Sequence, residues 1–289
     1  HVSFVHGQLF FLDILENKLE FAIYDHLVMS GLNAIRKNHG LKKLYAGEHE
    51  EGDLSLMADI PEFNPVNKLP PHVKYIGPLT WHNNLPAPEC LDLLNHDQPI
   101  VYFTLGSASL DNIIAQLGIL TQKGVQIVVA TGATNVTGIN VPPGVFLEKY
   151  INADALLSFC DLVCCHGGNG TIYQALRHGL PCVVVATHAE QHYGGKRIQE
   201  LGLGASFTHK QLQRTGIGKL FEAVQKIIEN PSYKKRALTF SSNLKNLNSA
   251  KYGCDLIEQF AKFKIGHGII NQNIEKNSKM KAGFSYINS

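Results

Sequence analysis

The residues best suited to chemistry lie in one run, Asp161-Leu-Val-Cys-Cys-His166-Gly-Gly-Asn-Gly170-Thr-Ile-Tyr-Gln-Ala-Leu176. An apolar strand ends, a glycine-rich turn follows, and a helix begins. That order sets free backbone N–H groups and the positive end of a helix dipole at the carboxyl edge of a sheet, where a phosphate binds well. Gly167, Gly168 and Gly170 let the main chain approach an anion closely, Thr171 offers a hydroxyl and His166 a ring N–H. A glycine turn alone fits a tight strand-to-helix connection equally well. The run matches neither the dinucleotide pattern G-x-G-x-x-G nor a Walker A loop, because no Gly-Lys-Ser/Thr occurs. Two further groups stand at comparable places. Ser107 follows an apolar strand and is either a phosphate ligand or a plain helix cap. Glu190 and Gln191 open the helix after the next strand, where a carboxylate is also favoured by the dipole alone.

The elements around these residues are regular. Apolar strands are expected at 100–105, 126–130, 145–148, 161–165, 182–186 and 205–208, with helices at 111–123, 170–178 and 191–201 between them. Gly179 and Gly202 end the last two helices. Strands and helices alternating at these lengths specify a parallel sheet covered on both faces, a doubly wound α/β domain. Helices at 220–228, 232–247 and 252–263 follow, so this domain is expected to run from 97 to 263, with a frayed polar tail at 264–289. The first 96 residues are less even. A helix stopped by Gly40 and short strands at 54–60 and 73–76 precede a segment punctuated by Pro61, Pro65, Pro70, Pro71, Pro78, Pro86 and Pro88. This reads as the end of one α/β domain and a linker.

Composition narrows the function classes. With 44% apolar and 17% charged residues, the 289-residue chain can bury ordinary cores. A formal charge of +2, from 26 basic and 24 acidic residues, gives no support for a nucleic-acid or anionic-membrane partner. No apolar stretch is long enough to span a bilayer, and no secretory signal pattern opens the chain. The six cysteines fit neither a zinc site nor a disulfide framework and read as buried thiols of a reducing, cytoplasmic compartment.

The run HGGNGTIYQALRHGLPCVVVATHAEQHYGGKRIQELGLG, from His166 to Gly204, resembles the signature of glycosyltransferase family one, which includes UDP-glucuronosyl-, plant flavonoid, macrolide and sterol glycosyltransferases. VYFTLGS (Val101 to Ser107), LSLMADIPEF and YIGPL are similar to the same family. The resemblance implies a GT-B fold: a C-terminal domain binding the nucleotide-sugar donor and an N-terminal domain binding a small lipophilic acceptor. It implies that His166, Gly168, Gly170, Thr171 and Ser107 hold the donor diphosphate. Glu190 and Gln191 would hold the sugar hydroxyls, Tyr150 would stack on the base, and the Ile151 backbone would read its edge. Gln174 stands where the family usually has a glutamate on the ribose; an amide still accepts from a hydroxyl, without charge assistance. Asn152 and Ala153 replace the common Pro and Gln, which leaves the nucleotide open, a UDP-sugar first and a TDP-sugar next. Family members invert the anomeric centre, use no metal or other cofactor, and draw their base from a His near the start of the N-terminal domain. None of His1, His6 or His26 has that setting, so the base stays unassigned and the first domain is expected to be incomplete, with apolar residues such as Phe10, Phe11 and Leu12 uncovered. Two other readings stay open: a non-catalytic nucleotide-sugar-binding fragment, and a GT-B nucleotide-sugar epimerase.

Overall fold

A computed structural model describes residues 22–23, 25–27, 29–45, 52–80, 85–104, 113–132 and 134–266. Ser107, His1, His6, Phe10, Phe11, Leu12 and residues 267–289 of the expected tail lie outside these residues. The chain divides into two units, one of residues 1–76 with 249–289 and the other of 77–248.

In the first unit, helix α1 (Met29–Asn38) precedes strands β1 (Ser55–Met57) and β2 (Val73–Tyr75), which pair in parallel. Asn33 ties α1 to the segment after it, donating to the Leu44 carbonyl and accepting the Leu44 N–H. The second unit holds a six-stranded parallel sheet built from β3 (Ile100–Thr104), β4 (Gln126–Ala130), β5 (Val145–Glu148), β6 (Leu162–Cys165), β7 (Cys182–Ala186) and β8 (Gly204–Thr208), in the order β5-β4-β3-β6-β7-β8. This is the order of a dinucleotide-type doubly wound sheet. Its direction of winding reverses between β3 and β6, where such sheets open a crevice at their carboxyl ends.

Between the strands run α2 (Gly118–Thr121), α3 (Ala153–Leu157), α4 (Asn169–Arg177) and α5 (Ala189–Glu200). After β8 come α6 (His209–Thr215), α7 (Gly218–Glu229), α8 (Pro231–Leu244) and α9 (Ser249–Gly266). The helix expected at 111–123 is one turn at Gly118–Thr121, with Ile113 and Ile114 helical before it. Two short helices, α3 and α6, add to the sequence reading. Each starts at a side-chain cap: Asn152 accepts the Ala155 N–H, and Thr208 forms a capping box with Gln211. The three terminal helices also part company. α7 and α8 stay with the sheet, whereas α9 groups with β1 and β2, and a Cβ on its Gly253 would stand 3.3 Å from Ile76 Cδ1.

Alternation along the strands sends every second residue to each face. Val101, Phe103, Ile127, Val129, Leu162, Cys164, Val183 and Val185 form one buried cluster with Leu117 and Leu120 beside α4-opposed helix α7, which contributes Leu220, Phe221, Val224 and Ile227. The other side of the sheet is sealed by α4 and α5, through Ile172, Tyr173, Leu176 and Ile198. Both helices stop in the same way. Gly179 and Gly202 adopt φ of 65°, and the N–H groups of Leu180 and Leu203 return to the carbonyls of Ala175 and Ile198. These left-handed caps turn the chain directly into β7 and β8, which fixes where the next strand begins. Among the described residues no helix is long and apolar enough to cross a membrane.

Candidate functional site

The glycine turn lies at the carboxyl end of β6, beside the point where the strand order reverses. β6 is buried throughout, so its backbone is fixed by the ladders to β3 and β7. Gly167 then takes φ of 94°, and a Cβ there would stand 2.6 Å from Val184 Cγ1 and 3.0 Å from the Gln191 carbonyl oxygen. The left-handed turn and the tight approach of β7 and α5 both demand glycine. Gly168 is the N-cap of α4 and supplies no side-chain cap. Gly170 differs from both: a Cβ there meets nothing within 4 Å. Among the described residues nothing crowds position 170.

His166 is half-buried between β3 and this turn. Its Nδ1 lies 3.4 Å from the Thr104 carbonyl, and its Nε2 lies 2.6 Å from where a Gly168 Cβ would be. A carbonyl only accepts, so this contact is a hydrogen bond in the tautomer with its proton on Nδ1. The ring then donates to an anion through Nε2 only with a proton on both nitrogens. Thr171 is half-buried in the first turn of α4.

The neighbouring turn, from β7 to α5, has the same design. His188 caps α5 without a side-chain bond, and Glu190 is exposed in its first turn. Gln191 is 8% exposed, and its Oε1 accepts both the N–H and the hydroxyl of Thr187, each at 2.9 Å. Gln191 therefore braces the turn through its oxygen, a task its sequence position did not reveal. Gly194 and Gly195 let α5 sit against α4 and β8: a Cβ at 195 would lie 2.1 Å from Ser206 Oγ. The positive ends of α4 and α5 thus open side by side on one edge of the sheet.

The residues that the resemblance assigns to the nucleoside follow β5. Tyr150 is 65% exposed, which removes it from the core, and Lys149 Nζ lies over its ring, 5.7 Å from the centroid. Ile151 is buried and anchors the segment. Gln174 is held by a group that sequence reading missed: its Nε2 donates to Asp154 Oδ1 at 3.2 Å, and His178 Nε2 meets the same oxygen at 3.2 Å. Asn152, an N-cap residue type three positions before Ala155, was the available signal for the helix that presents Asp154. Ser107 lies outside the described residues. Among the described residues no three His, Cys, Asp or Glu side chains come close enough together to hold a metal ion.

Residues 112–250 match the family described as erythromycin biosynthesis protein CIII-like, C-terminal domain. With the relatives that follow, this match supports a macrolide-type glycosyltransferase of family one. The chain is 31% identical over 227 residues to a PGL/p-HBAD biosynthesis rhamnosyltransferase of Mycobacterium bovis (strain BCG / Pasteur 1173P2), covering 77% of this chain and 49% of that protein. It is 27% identical over 258 residues to 4'-demethylrebeccamycin synthase of Lentzea aerocolonigenes, covering 84% and 60%. The fold of the glycosyltransferase of kitacinnamycin superposes with a TM-score of 0.73 at 17% identity, over 86% of this chain and 67% of that one. VinC in complex with dTDP superposes with a TM-score of 0.63 at 20% identity, over 80% and 57%. The chain spans about half the length of the first of these curated relatives. The chain therefore has the fold of the GT-B glycosyltransferases, with its glycine turn at the edge where such sheets bind ligands.

Proposed function

We propose that this chain supplies the donor-binding half of a glycosyltransferase that moves a sugar from a nucleoside diphosphate sugar to a hydroxyl of a small lipophilic acceptor. The observation that carries the proposal is the glycine turn beside the strand-order reversal, where no side chain caps α4 and a Cβ on Gly170 would meet nothing within 4 Å among the described residues. An anion there receives backbone N–H groups and the helix dipole. The same groups would stabilise charge developing on the departing diphosphate, which is where electrostatic stabilisation accelerates transfer most. UDP is the first nucleotide of this proposal and TDP the second; the structural relative VinC is described in complex with dTDP. Inversion and independence from metal follow from the family resemblance and belong to the proposal on that ground. An acceptor hydroxyl then attacks the anomeric carbon as a base takes its proton, and the diphosphate leaves towards the turn.

Titration calorimetry with UDP and TDP tests the reading. His166→Ala is expected to weaken diphosphate binding by about 1.5–3 kcal/mol, about 10- to 150-fold, the size of a hydrogen bond to a charged group. An unchanged affinity removes His166 from the site, and no binding of either nucleotide by the unmodified chain overturns the proposal.

Glu190→Ala separates the sugar from the nucleotide. The variant should bind a nucleotide sugar more weakly and the free nucleotide diphosphate as before, because Glu190 is exposed on the neighbouring helix start. Equal losses for both ligands would show that Glu190 is not a sugar contact.

A further inference from the structure

Asp154 stands on a short helix whose start is pinned on two sides. Asn152 accepts the Ala155 N–H at 3.2 Å and donates to the Leu85 carbonyl at 2.8 Å. From there Asp154 Oδ1 meets Gln174 Nε2 of α4 and Nε2 of His178, the C-cap of that helix, both at 3.2 Å. Positions 174 and 178 are one helical turn apart and share a face of α4, and Gly170 is one further turn towards its start. The cluster therefore lies along the helix face that begins at the open space over Gly170. All three side chains are half-buried.

A primary amide is ambivalent. It presents a donor or an acceptor according to how it is turned. A carboxylate accepts only, so Asp154 forces Gln174 to turn its NH2 group inward. Gln174 Oε1, which has no hydrogen-bond partner among the described residues, is then left as a fixed acceptor. His178 Nε2 meets the same carboxylate oxygen.

We propose that Asp154 is a positioning residue that fixes Gln174 as the acceptor of a ribose hydroxyl, with the negative charge of the subsite carried one residue back from the ligand. This rests on the donor-site reading above, which puts the ribose between a diphosphate at Gly170 and a base at Tyr150. The arrangement has a consequence opposite to simple expectation. Gln174→Glu, which restores the residue usual in the family, sets two carboxylates at hydrogen-bond distance, where both cannot stay ionised and unpaired. It should weaken nucleotide binding. Exchanging the two groups, Asp154→Asn with Gln174→Glu, keeps one carboxylate and one amide and should restore it.

The test is calorimetry with UDP and TDP, each against its counterpart lacking ribose hydroxyls, 2′,3′-dideoxyuridine diphosphate and 3′-deoxythymidine diphosphate. Asp154→Ala and Gln174→Glu are each expected to weaken the hydroxyl-bearing nucleotide about 3- to 10-fold, with little change for its deoxy counterpart. The exchanged double variant should return to within about twofold of the unmodified chain, a small residue on the scale of one hydrogen bond. Equal losses for both members of a pair, or a double variant as weak as Gln174→Glu, overturn the assignment. If either single variant fails to fold, the double variant decides alone, since it retains both hydrogen bonds. Failure of the unmodified chain to bind any of the four nucleotides sinks the donor-site reading instead.

Discussion

Raising the pH from about 8.5 to 9.5 in the presence of a reductant is expected to remove roughly 4 kcal/mol from the stability of the sheet domain. The cause is four thiols in its core. Cys160, Cys164, Cys165 and Cys182 are free and buried on or beside β6 and β7. Burial pushes Cys160 and Cys165 up to about 12 and holds Cys164 and Cys182 well above the ordinary thiol value. The folded chain keeps these protons in alkali, and the unfolded chain releases them from about pH 8.5 upward. The unfolded state then binds fewer protons, so stability falls as pH rises, by about 1 kcal/mol per thiol over the first unit above that value. The loss continues until the folded thiols themselves ionise near pH 12. Four such groups together rival the whole stability of a domain, about 5–15 kcal/mol. Denaturant unfolding at a series of pH values between 8 and 10, followed by circular dichroism, measures the slope. Cys164→Ala with Cys182→Ala starts from a lower stability, yet should show about half the alkaline slope. A stability that stays flat to pH 10, or an unchanged slope in that variant, would mean that these thiols are not desolvated as described.

The three glycines after His166 should respond to alanine in three different ways. Gly167→Ala is expected to destabilise the domain by about 2–6 kcal/mol, the sum of a left-handed backbone penalty and overpacking. Its φ is 94°, and the new Cβ would meet Val184 Cγ1 at 2.6 Å and the Gln191 carbonyl at 3.0 Å. Neither neighbour yields easily, because Val184 is a β-branched residue held in a buried strand and the second is main chain. Gly168→Ala meets only His166 Nε2, at 2.6 Å, so the imidazole moves aside: the fold survives and diphosphate affinity falls. Gly170→Ala meets nothing, and as a helical position it should leave stability unchanged or raise it by up to about 1 kcal/mol. Its methyl group would stand where an anion approaches the main chain, so nucleotide binding should weaken with no loss of melting temperature. Thermal melts paired with calorimetry check all three. If Gly170→Ala binds UDP and TDP as the unmodified chain does, the ligand does not approach that face of α4.

Much of this was legible in the sequence because it is local. The strands are continuous apolar runs, and the observed ranges Ile100–Thr104, Gln126–Ala130, Val145–Glu148 and Cys182–Ala186 lie within or upon those read from composition alone. Gly179 and Gly202 ended their helices as expected, since a left-handed cap is a property of a few consecutive residues. The helix expected at 111–123 is interrupted: Ile113 and Ile114 are helical, and Gly118–Thr121 forms a separate turn without a side-chain cap. Ser107 falls outside the described residues, so its role is still the expectation drawn from the family resemblance.

By itself the sequence determined the alternation of strand and helix, hence the parallel sheet, and the glycine turn after His166, because each depends on periodicity or backbone freedom within about ten residues. The tertiary structure alone decided which side chains meet. Asp154 reaches Gln174 and His178 across 20 and 24 residues, and nothing in the spacing of those three announces the contact. Gln191 turned out to brace Thr187, and α9 returned to pack with β1 and β2 instead of ending the sheet domain. Such pairings are fixed by strand register and helix packing over the whole sheet, and a one-dimensional pattern records the tendency of each element without recording its neighbours.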